Sequence, residues 1–198
     1  MLRGLYAITP EKMEPEDLRR RLAAALEGGI ALLQYRRKGR SSLGEAAELA
    51  RMCHDRGVRF IVNDDVELAL ACGADGVHLG RDDGALGEAR AKLKGRLLGA
   101  SCYDDLGAAR AAVAAGADYV AFGSVFASPT KPQAVRAPLA LFQEAQTLGV
   151  PLAAIGGITL ENAPAVVRAG ASLLAVITDL FDADDIAGRA RAYGKLFP

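Results

Sequence analysis

The sequence has little of what marks several large classes of protein. Lys and Arg together number 24, as do Asp and Glu together, so the formal net charge at pH 7 is zero. A neutral chain does not bind nucleic acid through bulk positive charge. The three cysteines stand singly without a C-x-x-C pair, which indicates reduced thiols rather than a disulfide framework. The longest apolar run, residues 150–158, is broken by Pro151 and two glycines and is far too short to span a membrane.

Three further signals are missing. The first six residues contain no basic stretch followed by an apolar one, so we expect no signal peptide and a cytoplasmic protein. No G-x-G-x-x-G follows the first predicted strand, which argues against dinucleotide binding. Neither a linker-like composition nor a block of like charge divides the chain, so we expect a single domain over residues 1–198.

Short β-rich runs alternate with alanine-rich amphipathic stretches along the chain. The runs are almost continuously apolar, as in a parallel sheet that is buried on both faces. The predicted strands are Gly4–Thr9, Leu32–Arg36, Arg59–Asn63, Gly76–Leu79, Leu97–Ser101, Tyr119–Val125, Leu152–Ile158 and Leu173–Ile177. The predicted helices are Pro15–Glu27, Leu43–Asp55, Val66–Cys72, Ala85–Lys94, Leu106–Ala115, Leu139–Leu148, Leu160–Arg168 and Asp184–Phe197. The helix-to-strand joints carry glycines of the helix C-terminal type: Gly28, Gly29, Gly57, Gly73, Gly95, Gly116, Gly149 and Gly170.

Eight strand–helix units in 198 residues leave about 25 residues per unit, which is the small end of the range for (β/α)8 barrels. We therefore predict an α/β fold, a single small (β/α)8 TIM barrel with eight parallel strands and outer helices. In such a barrel the catalytic groups lie at the C-terminal ends of the strands. The polar residues that end each apolar run are therefore the candidates for a site.

The second strand ends in a cluster of polar residues. Because side chains alternate along a strand, Gln34, Arg36 and Lys38 are predicted to point inward, with Tyr35 and Arg37 outward. Inward polar groups on a buried strand are costly without a partner. Two cations that converge at the barrel mouth suit a phosphate or a diphosphate. The alternative is a solvated strand end held by local ion pairs.

Two carboxylates end neighbouring strands. Asp64 follows the third predicted strand, and Asp83 follows the fourth. Carboxylates beside cations suggest Mg²⁺ held by few protein ligands together with substrate phosphates. The alternative is helix capping, since Asp64, Asp65 and Asp83 all precede helical runs.

Two more segments follow strand ends. In Ser128-Pro129-Thr130-Lys131-Pro132, two prolines stiffen a loop that carries two hydroxyls and an ammonium group. Lys131 could clamp a phosphate or form a Schiff base, and the alternative is a plain surface loop. Gly156-Gly157 and Ile177-Thr178 end the last two strands, where backbone N–H groups commonly bind phosphate in barrels. The alternative there is a tight turn.

The motifs taken together resemble the thiamine phosphate synthase family. The series that carries the resemblance is Gln34-Tyr35-Arg36-Arg37-Lys38, Val62-Asn63-Asp64, Gly76-Val77-His78-Leu79-Gly80-Arg81-Asp82-Asp83, Gly99-Ala100-Ser101, Pro129-Thr130-Lys131 and Ala154-Ile155-Gly156-Gly157-Ile158. Each motif alone is weak, but their order and spacing from about Gly4 to Phe181 are specific. The resemblance implies a (β/α)8 barrel that joins an aminopyrimidine methyl diphosphate to a thiazole phosphate with Mg²⁺. The products would be thiamine phosphate and pyrophosphate.

The resemblance also implies a role for each motif. The positions that match the pyrimidine diphosphate site are Gln34, Arg36, Lys38, Asn63, Ser101 and Lys131; the metal ligands are Asp64 and Asp83; the thiazole phosphate site matches Ser128, Thr130, Gly157, Ile177 and Thr178. Of these, the expected catalytic residues are Lys131, Arg36, Lys38 and Ser101. The sequence departs from the common family pattern at Tyr35, Arg37, Ser128 and Thr178. None of these departures removes a charge that the chemistry needs.

Other functions remain open at this point. The related thiazole tautomerase branch is an isomerase with the same barrel, whose members can lack the metal carboxylates and carry a histidine near the end of the sixth strand, where this chain has Ser124. A class I aldolase would use Lys131 as its Schiff base. A non-catalytic barrel would bind thiamine phosphates without releasing pyrophosphate. We expect small-molecule substrates as partners, with no nucleic acid and no membrane, and a homo-oligomer is compatible with the sequence.

Overall fold

Eight parallel strands form the wall of the structure. The computed structural model describes residues 2–81, 84–127 and 135–197. The strands are β1 Gly4–Ile8, β2 Leu32–Tyr35, β3 Arg59–Asn63, β4 Gly76–Leu79, β5 Leu97–Tyr103, β6 Tyr119–Gly123, β7 Leu152–Ile155 and β8 Leu173–Val176. Each strand pairs with the next in the chain, and β8 pairs with β1 to close the barrel. The predicted barrel is confirmed.

Helices cover the outside of the barrel. They are α1 Pro15–Gly28, α2 Leu43–His54, α3 Val66–Ala71, α4 Leu86–Leu93, α5 Leu106–Ala114, α6 Ala140–Ala145, α7 Ala163–Arg168, α8 Thr178–Phe181 and α9 Ile186–Gly194, and a 3-10 turn at Gln146–Leu148 extends α6. The sequence reading missed α8, because four residues are too few to show a helical period. Asp105 and Asp185 cap α5 and α9 by accepting hydrogen bonds from backbone N–H groups three residues on. These local signals fix where the helices begin.

The glycines predicted at the helix-to-strand joints have positive φ at Gly29, Gly57, Gly73, Gly95, Gly116, Gly149 and Gly170. Gly28 serves a different purpose. It is the last residue of α1, and a Cβ there would overlap the backbone of Ala187 in α9. Gly28 therefore allows the first and last helices of the chain to pack closely, next to the strand pair that closes the barrel.

Two apolar layers hold the fold together. The larger one lies between the strands and the helices, and includes Leu33, Phe60 and Phe122. The smaller one fills the barrel interior and contains the buried tyrosines Tyr6 and Tyr119. The described helices include none that is long and apolar enough to cross a membrane.

The three cysteines are buried and free. Burial raises the pKa of the Cys53 and Cys102 thiols to about 12, so both thiols are protonated at neutral pH. Cys102 belongs to the apolar layer between strands and helices. It is therefore not placed to act as a nucleophile in the barrel mouth.

Replacing Gly76 by alanine tests the tight pairing of β4 with β5. A Cβ at Gly76 would overlap the carbonyl oxygen of Leu97 on the neighbouring strand. We expect Gly76→Ala to lower the free energy of unfolding by about 1–3 kcal/mol, measured by chemical denaturation. Gly44→Ala is the matched control, because a Cβ at that exposed position of α2 meets no atom within 4 Å. Equal stabilities of the two variants would contradict the packing argument.

Candidate active site

A cavity of about 780 Å³ opens at the carboxyl ends of the strands. Its floor is formed by side chains on the strands and its rim by the turns that follow them. The walls include Ile8, Glu11, Gln34, Arg36, Asn63, His78, Ser101, Tyr103, Ala121, Ser124, Ile155, Gly156, Gly157, Thr159, Ala175, Ile177, Thr178, Asp179 and Arg189. Polar side chains on β2 to β5 line one side of the cavity. The turns after β7 and β8 line the other side.

Alternation along β2 places its residues as predicted up to Arg37. Gln34 is buried in the cavity floor, where its Nε2 donates to Tyr6 Oη at 2.7 Å. Arg36 lines the cavity, and its Nη1 donates to Glu11 Oε2 at 3.1 Å. Tyr35 points the other way into the layer under the helices. The cation of Arg36 is therefore held at the cavity edge by a carboxylate.

The prediction that Lys38 also points inward is wrong for this structure. The strand ends at Tyr35, and the chain turns over residues 37–40, with Arg40 N donating to the carbonyl of Arg37 at 3.0 Å. Strand alternation does not continue through a turn. The side chain of Lys38 is exposed and does not line the cavity.

Arg37 anchors the outer side of the same segment. Its Nη2 lies 2.7 Å from Glu45 Oε1; the Arg37 side chain is buried, and that of Glu45 is 11% exposed. Tyr35 Oη donates to the other oxygen of Glu45 at 2.6 Å. The guanidinium also donates to the carbonyls of Glu11 and Met13. This buried cluster fixes the turn that carries Arg36, and it accounts for the two outward residues that depart from the family pattern.

Asn63 and Asp64 come at the end of β3. Asn63 lines the cavity, and the half-buried Asp64 follows it with a φ of 67°. Asp64 N donates to the carbonyl of His78 at 2.9 Å, which fixes Asp64 beside the end of β4. Asp65 Oδ1 accepts from Leu68 N at 2.8 Å and caps α3. The capping alternative for Asp64 is therefore wrong, because Asp65 performs that function.

The turn after β7 is built around Gly156 and Gly157. Their φ angles are 105° and 61°, and a Cβ on Gly157 would overlap the carbonyl oxygen of Ala127. The side chain of Asn162 spans the turn: Nδ2 donates to Gly157 O at 3.0 Å, and Oδ1 accepts from Thr159 N at 2.9 Å. These constraints end β7 at Ile155, three residues earlier than predicted.

Asp179 ties this turn to the last helix, a role that the sequence reading missed. Ile177 and Thr178 line the cavity after β8, and Asp179 follows them. Asp179 Oδ2 lies 2.7 Å from Arg189 Nη1 and accepts from Tyr193 Oη at 2.7 Å and from Leu160 N at 3.2 Å. The hydrogen bond that Arg189 donates to Asp179 raises the pKa of Arg189, which stays charged. Only the position of Asp179 next to Thr178 could have pointed to this cluster.

His78 lies in the cavity floor although its sequence pattern suggested no role for it. It is 6% exposed, its Nδ1 lies 3.1 Å from Tyr119 Oη, and its Nε2 lies 2.9 Å from Ser101 Oγ. Strand alternation could have indicated this position, because His78 lies two residues after Gly76 and shares its inward face of β4. Ser101 lines the cavity from β5, so the structure brings His78 together with a predicted site residue.

Four of the predicted site residues lie outside the described residues: Asp83, Ser128, Thr130 and Lys131. Ser124 directly follows β6, and its Oγ donates to the carbonyl of Phe126 at 2.7 Å. A second cleft, of about 490 Å³, lies at the amino ends of β3 and β5. Two of the three cations that line it are already engaged, since Arg59 pairs with Asp75 and Arg96 donates to backbone carbonyls. We therefore place the active site in the larger cavity.

A family model for thiamine monophosphate synthase matches residues 5–180. The chain belongs to the thiamine phosphate synthase family. It is accordingly an enzyme, a transferase of thiamine biosynthesis. Family membership argues against the aldolase and the non-catalytic barrel.

Relatives in the thiamine phosphate synthase family match over nearly the whole chain. The thiamine-phosphate synthase of Aromatoleum aromaticum is 58% identical over 201 residues, which cover 99% of this chain and 97% of that protein. That of Chromobacterium violaceum is 56% identical, with 98% and 96% covered. The structure of a thiamine phosphate pyrophosphorylase from Pyrococcus furiosus is similar with a TM-score of 0.83 at 34% identity, and covers 98% of this chain and 94% of that one. A 3-hexulose-6-phosphate synthase, at 18% identity and a TM-score of 0.78, shares the fold.

The donor chemistry of the site fits a magnesium ion shared with substrate. Among residues 2–81, 84–127 and 135–197, no group of three or more His, Cys, Asp or Glu side chains could hold a metal. Mg²⁺ commonly takes one or two carboxylates and completes its shell with water and substrate phosphates. Asp64, which directly follows the cavity-lining Asn63, is a carboxylate that could serve in this way.

The Arg37–Glu45 pair provides a test of how the β2 turn is held. Burial raises the pKa of Glu45, but hydrogen bonds from Arg37 and Tyr35 outweigh burial and hold that pKa below its usual range. We expect Glu45→Gln to lower the free energy of unfolding by about 3 kcal/mol at pH 7, since it leaves the Arg37 charge buried without its counter-ion.

The stability that Glu45 contributes should depend on pH in a definite direction. A lowered carboxyl pKa in the folded state contributes stability above the unfolded value near 4.3, and this stability is lost as pH falls through the folded value. The gap between wild type and Glu45→Gln, measured by urea denaturation, should therefore shrink below about pH 4. Glu48→Gln is the control, because its pair with Arg19 is largely exposed. A gap independent of pH would contradict the assignment.

Proposed function

We propose that this transferase joins 4-amino-2-methyl-5-(diphosphooxymethyl)pyrimidine to thiazole phosphate, or to its carboxylated form, with release of pyrophosphate. One observation carries the proposal: two different polar surfaces face each other across one cavity. Side chains on β2 to β5 form the first surface, and the turns after β7 and β8 form the second. Two phosphorylated substrates bound on opposite sides would meet in the space between them.

The first surface suits the pyrimidine diphosphate. Gln34, Asn63 and Ser101 offer amide and hydroxyl groups at the floor, where a planar heterocycle needs directional hydrogen bonds. Arg36 supplies a cation at the rim that can bind phosphate oxygens in a bidentate manner. Lys38, in the exposed turn that follows, and Lys131 complete the proposed set of cations. A diphosphate would compete with Glu11 for the guanidinium of Arg36.

The second surface suits the thiazole phosphate. Gly157, Ile177 and Thr178 lie at the turns where barrels commonly bind phosphate through backbone N–H groups. The glycine permits close approach of the ligand to the backbone. In the proposal, Ser128 and Thr130 add hydroxyl contacts from the loop after β6. Fixing the thiazole through its phosphate would hold its ring nitrogen near the pyrimidine carbon.

The reaction needs charge stabilisation more than a base. The bond between the pyrimidine CH2 carbon and the diphosphate oxygen breaks, the electron pair leaves with pyrophosphate, and the ring donates electrons to the resulting cation. The thiazole nitrogen then forms the new bond to that carbon. Asp64 and Asp83 would hold Mg²⁺, which supplies positive charge to the diphosphate. Arg36, Lys131 and Ser101 would stabilise the charge that grows on the leaving group.

Incubation of the purified protein with both phosphorylated heterocycles tests the proposal. With Mg²⁺ we expect thiamine phosphate and pyrophosphate in equal amounts, measured by chromatography and by a coupled pyrophosphate assay. With excess EDTA both products should be absent, and added Mg²⁺ should restore them. Formation of thiamine phosphate without metal, or an isomerised thiazole as the sole product, would overturn the proposal.

The adjacent aspartates offer a matched test of the metal site. Asp64→Asn keeps a side chain that tolerates positive φ but removes the charge, so we expect turnover at fixed Mg²⁺ to fall at least about tenfold and the Mg²⁺ requirement to rise. Asp65→Asn should leave the Mg²⁺ titration unchanged, because asparagine caps a helix about as well as aspartate. The same Mg²⁺ titration curve for both variants would remove Asp64 from the metal site.

A further inference from the structure

A line of five hydrogen-bonded side chains crosses the barrel beneath the cavity. Gln34 Nε2 lies 2.7 Å from Tyr6 Oη, and Tyr6 Oη lies 2.7 Å from Tyr119 Oη. Tyr119 Oη lies 3.1 Å from His78 Nδ1, and His78 Nε2 lies 2.9 Å from Ser101 Oγ. The first four side chains are each at most 6% exposed, and Ser101 lines the cavity. We call this line the barrel relay.

The chemistry of the groups gives the barrel relay a direction. The Gln34 amide nitrogen can only donate, so Tyr6 accepts from it. The Tyr6 hydroxyl is buried and its other partner is Tyr119 Oη, so its proton is satisfied by pointing toward Tyr119. Tyr119 accepts that bond and donates its own proton to His78 Nδ1. Burial raises the pKa of both tyrosines, so neither loses its proton at neutral pH.

The direction continues through the imidazole to the cavity. Because Nδ1 accepts a hydrogen bond, the proton of the neutral ring is on Nε2. Nε2–H then donates to Ser101 Oγ. The hydroxyl proton of Ser101 is left to point into the cavity.

We propose that His78 is a positioning residue that sets Ser101 as a hydrogen-bond donor toward an acceptor atom of the bound substrate. The identity of that ligand, a phosphorylated pyrimidine, rests on the proposed function. The protonation pattern of the barrel relay does not, since it exists in the protein without ligand. In the opposite direction, Ser101 would donate to His78 and offer the substrate only lone pairs.

The packing around the barrel relay holds its members in place. The His78 and Tyr119 rings stack with centroids 5.6 Å apart, and the Tyr6 and Tyr119 rings meet edge to face at 5.9 Å. Gly99 makes this possible, because a Cβ there would overlap the Tyr119 ring and lie 2.6 Å from His78 Nδ1. The stack on Tyr119 and the hydrogen bonds at both ring nitrogens oppose a rotation of the His78 imidazole that would exchange Nδ1 and Nε2.

Tyr119→Phe tests the proposal, because it keeps the ring and removes the hydroxyl that links Tyr6 to His78. In ligand-free wild type we expect ¹⁵N spectra of labelled histidine to show the proton of neutral His78 on Nε2. In Tyr119→Phe we expect the Nδ1 resonance to shift and the two tautomers to mix. Tyr35→Phe is the matched control, because it removes an equally buried hydroxyl on the other side of the sheet. The chain has two histidines, so the signals that disappear in His54→Gln belong to His54 and the remaining ones to His78.

Kinetics then connect the barrel relay to Ser101. We expect Tyr119→Phe to raise the KM for the pyrimidine substrate about three- to tenfold, the range of one neutral hydrogen bond, with the KM for thiazole phosphate unchanged. In a Ser101→Ala background the same substitution should have no further effect.

Two results would overturn the proposal: a proton on Nδ1 of His78 in wild type, or an equal effect of Tyr119→Phe with and without Ser101. If Tyr119→Phe does not fold, His78→Gln and His78→Asn decide. Glutamine can place an amide N–H near the position of Nε2, and asparagine cannot, so glutamine should retain more activity. Equal loss in both would refute the role. If wild type forms no thiamine phosphate, the proposed function fails while the NMR result still decides the direction of the barrel relay.

Discussion

The hydrogen bond between Tyr6 and Tyr119 sets the chemistry of the cavity floor. Both hydroxyls lie in the closed barrel interior, where each unmet hydrogen-bonding group would cost about 1–3 kcal/mol. The layer next to them must therefore be polar, and Gln34 and His78 supply it. An interior filled only with aliphatic side chains would have required no such layer. Filling the barrel with tyrosines thus places an amide and an imidazole under the substrate.

The neutral composition of the chain conceals local charge pairing at the cavity. Arg36 is held by Glu11, and Arg189 by Asp179, so two of the cations in the cavity wall already have partners. The Arg36–Glu11 pair is partly exposed and is worth little by itself. A diphosphate with more negative charge can replace Glu11 without leaving an isolated buried carboxylate. Arg189 pairs with Asp179, which also accepts hydrogen bonds from Leu160 N and Tyr193 Oη. A ligand would therefore displace Arg189 from its carboxylate less easily than Arg36.

Periodicity predicted much of the fold and of one half of the site. Strand alternation placed Gln34 and Tyr35 correctly within β2, and Arg36 and Arg37, the two residues after the strand, keep the predicted sides. The eight units and the joint glycines followed from local signals that need no tertiary contact. The capping pattern before helical runs included Asp65, which does cap α3.

The misplaced and missed residues depend on contacts between distant parts of the chain. Lys38 was misplaced because no pattern in the strand shows where the turn begins. His78 and Tyr119 are 41 residues apart, and only the barrel brings them together. Asp179 contacts Leu160, which follows β7, and Arg189 and Tyr193, which belong to α9. A single sequence contains no local signal for such clusters.

The two sides of the cavity are held in place by different contacts. This difference indicates how much the departure from the family pattern at Thr178 matters. Side chains on β2 to β5 are fixed from within the barrel, so a change at Gln34 or His78 disturbs its neighbours along the barrel relay. The turns after β7 and β8 are held from outside by Asn162 and Asp179. If phosphate binds there through backbone N–H groups, the side chain at position 178 has little influence on the contact. The departure at Thr178 is then a mild change, whereas loss of Asp179 would loosen the turn itself.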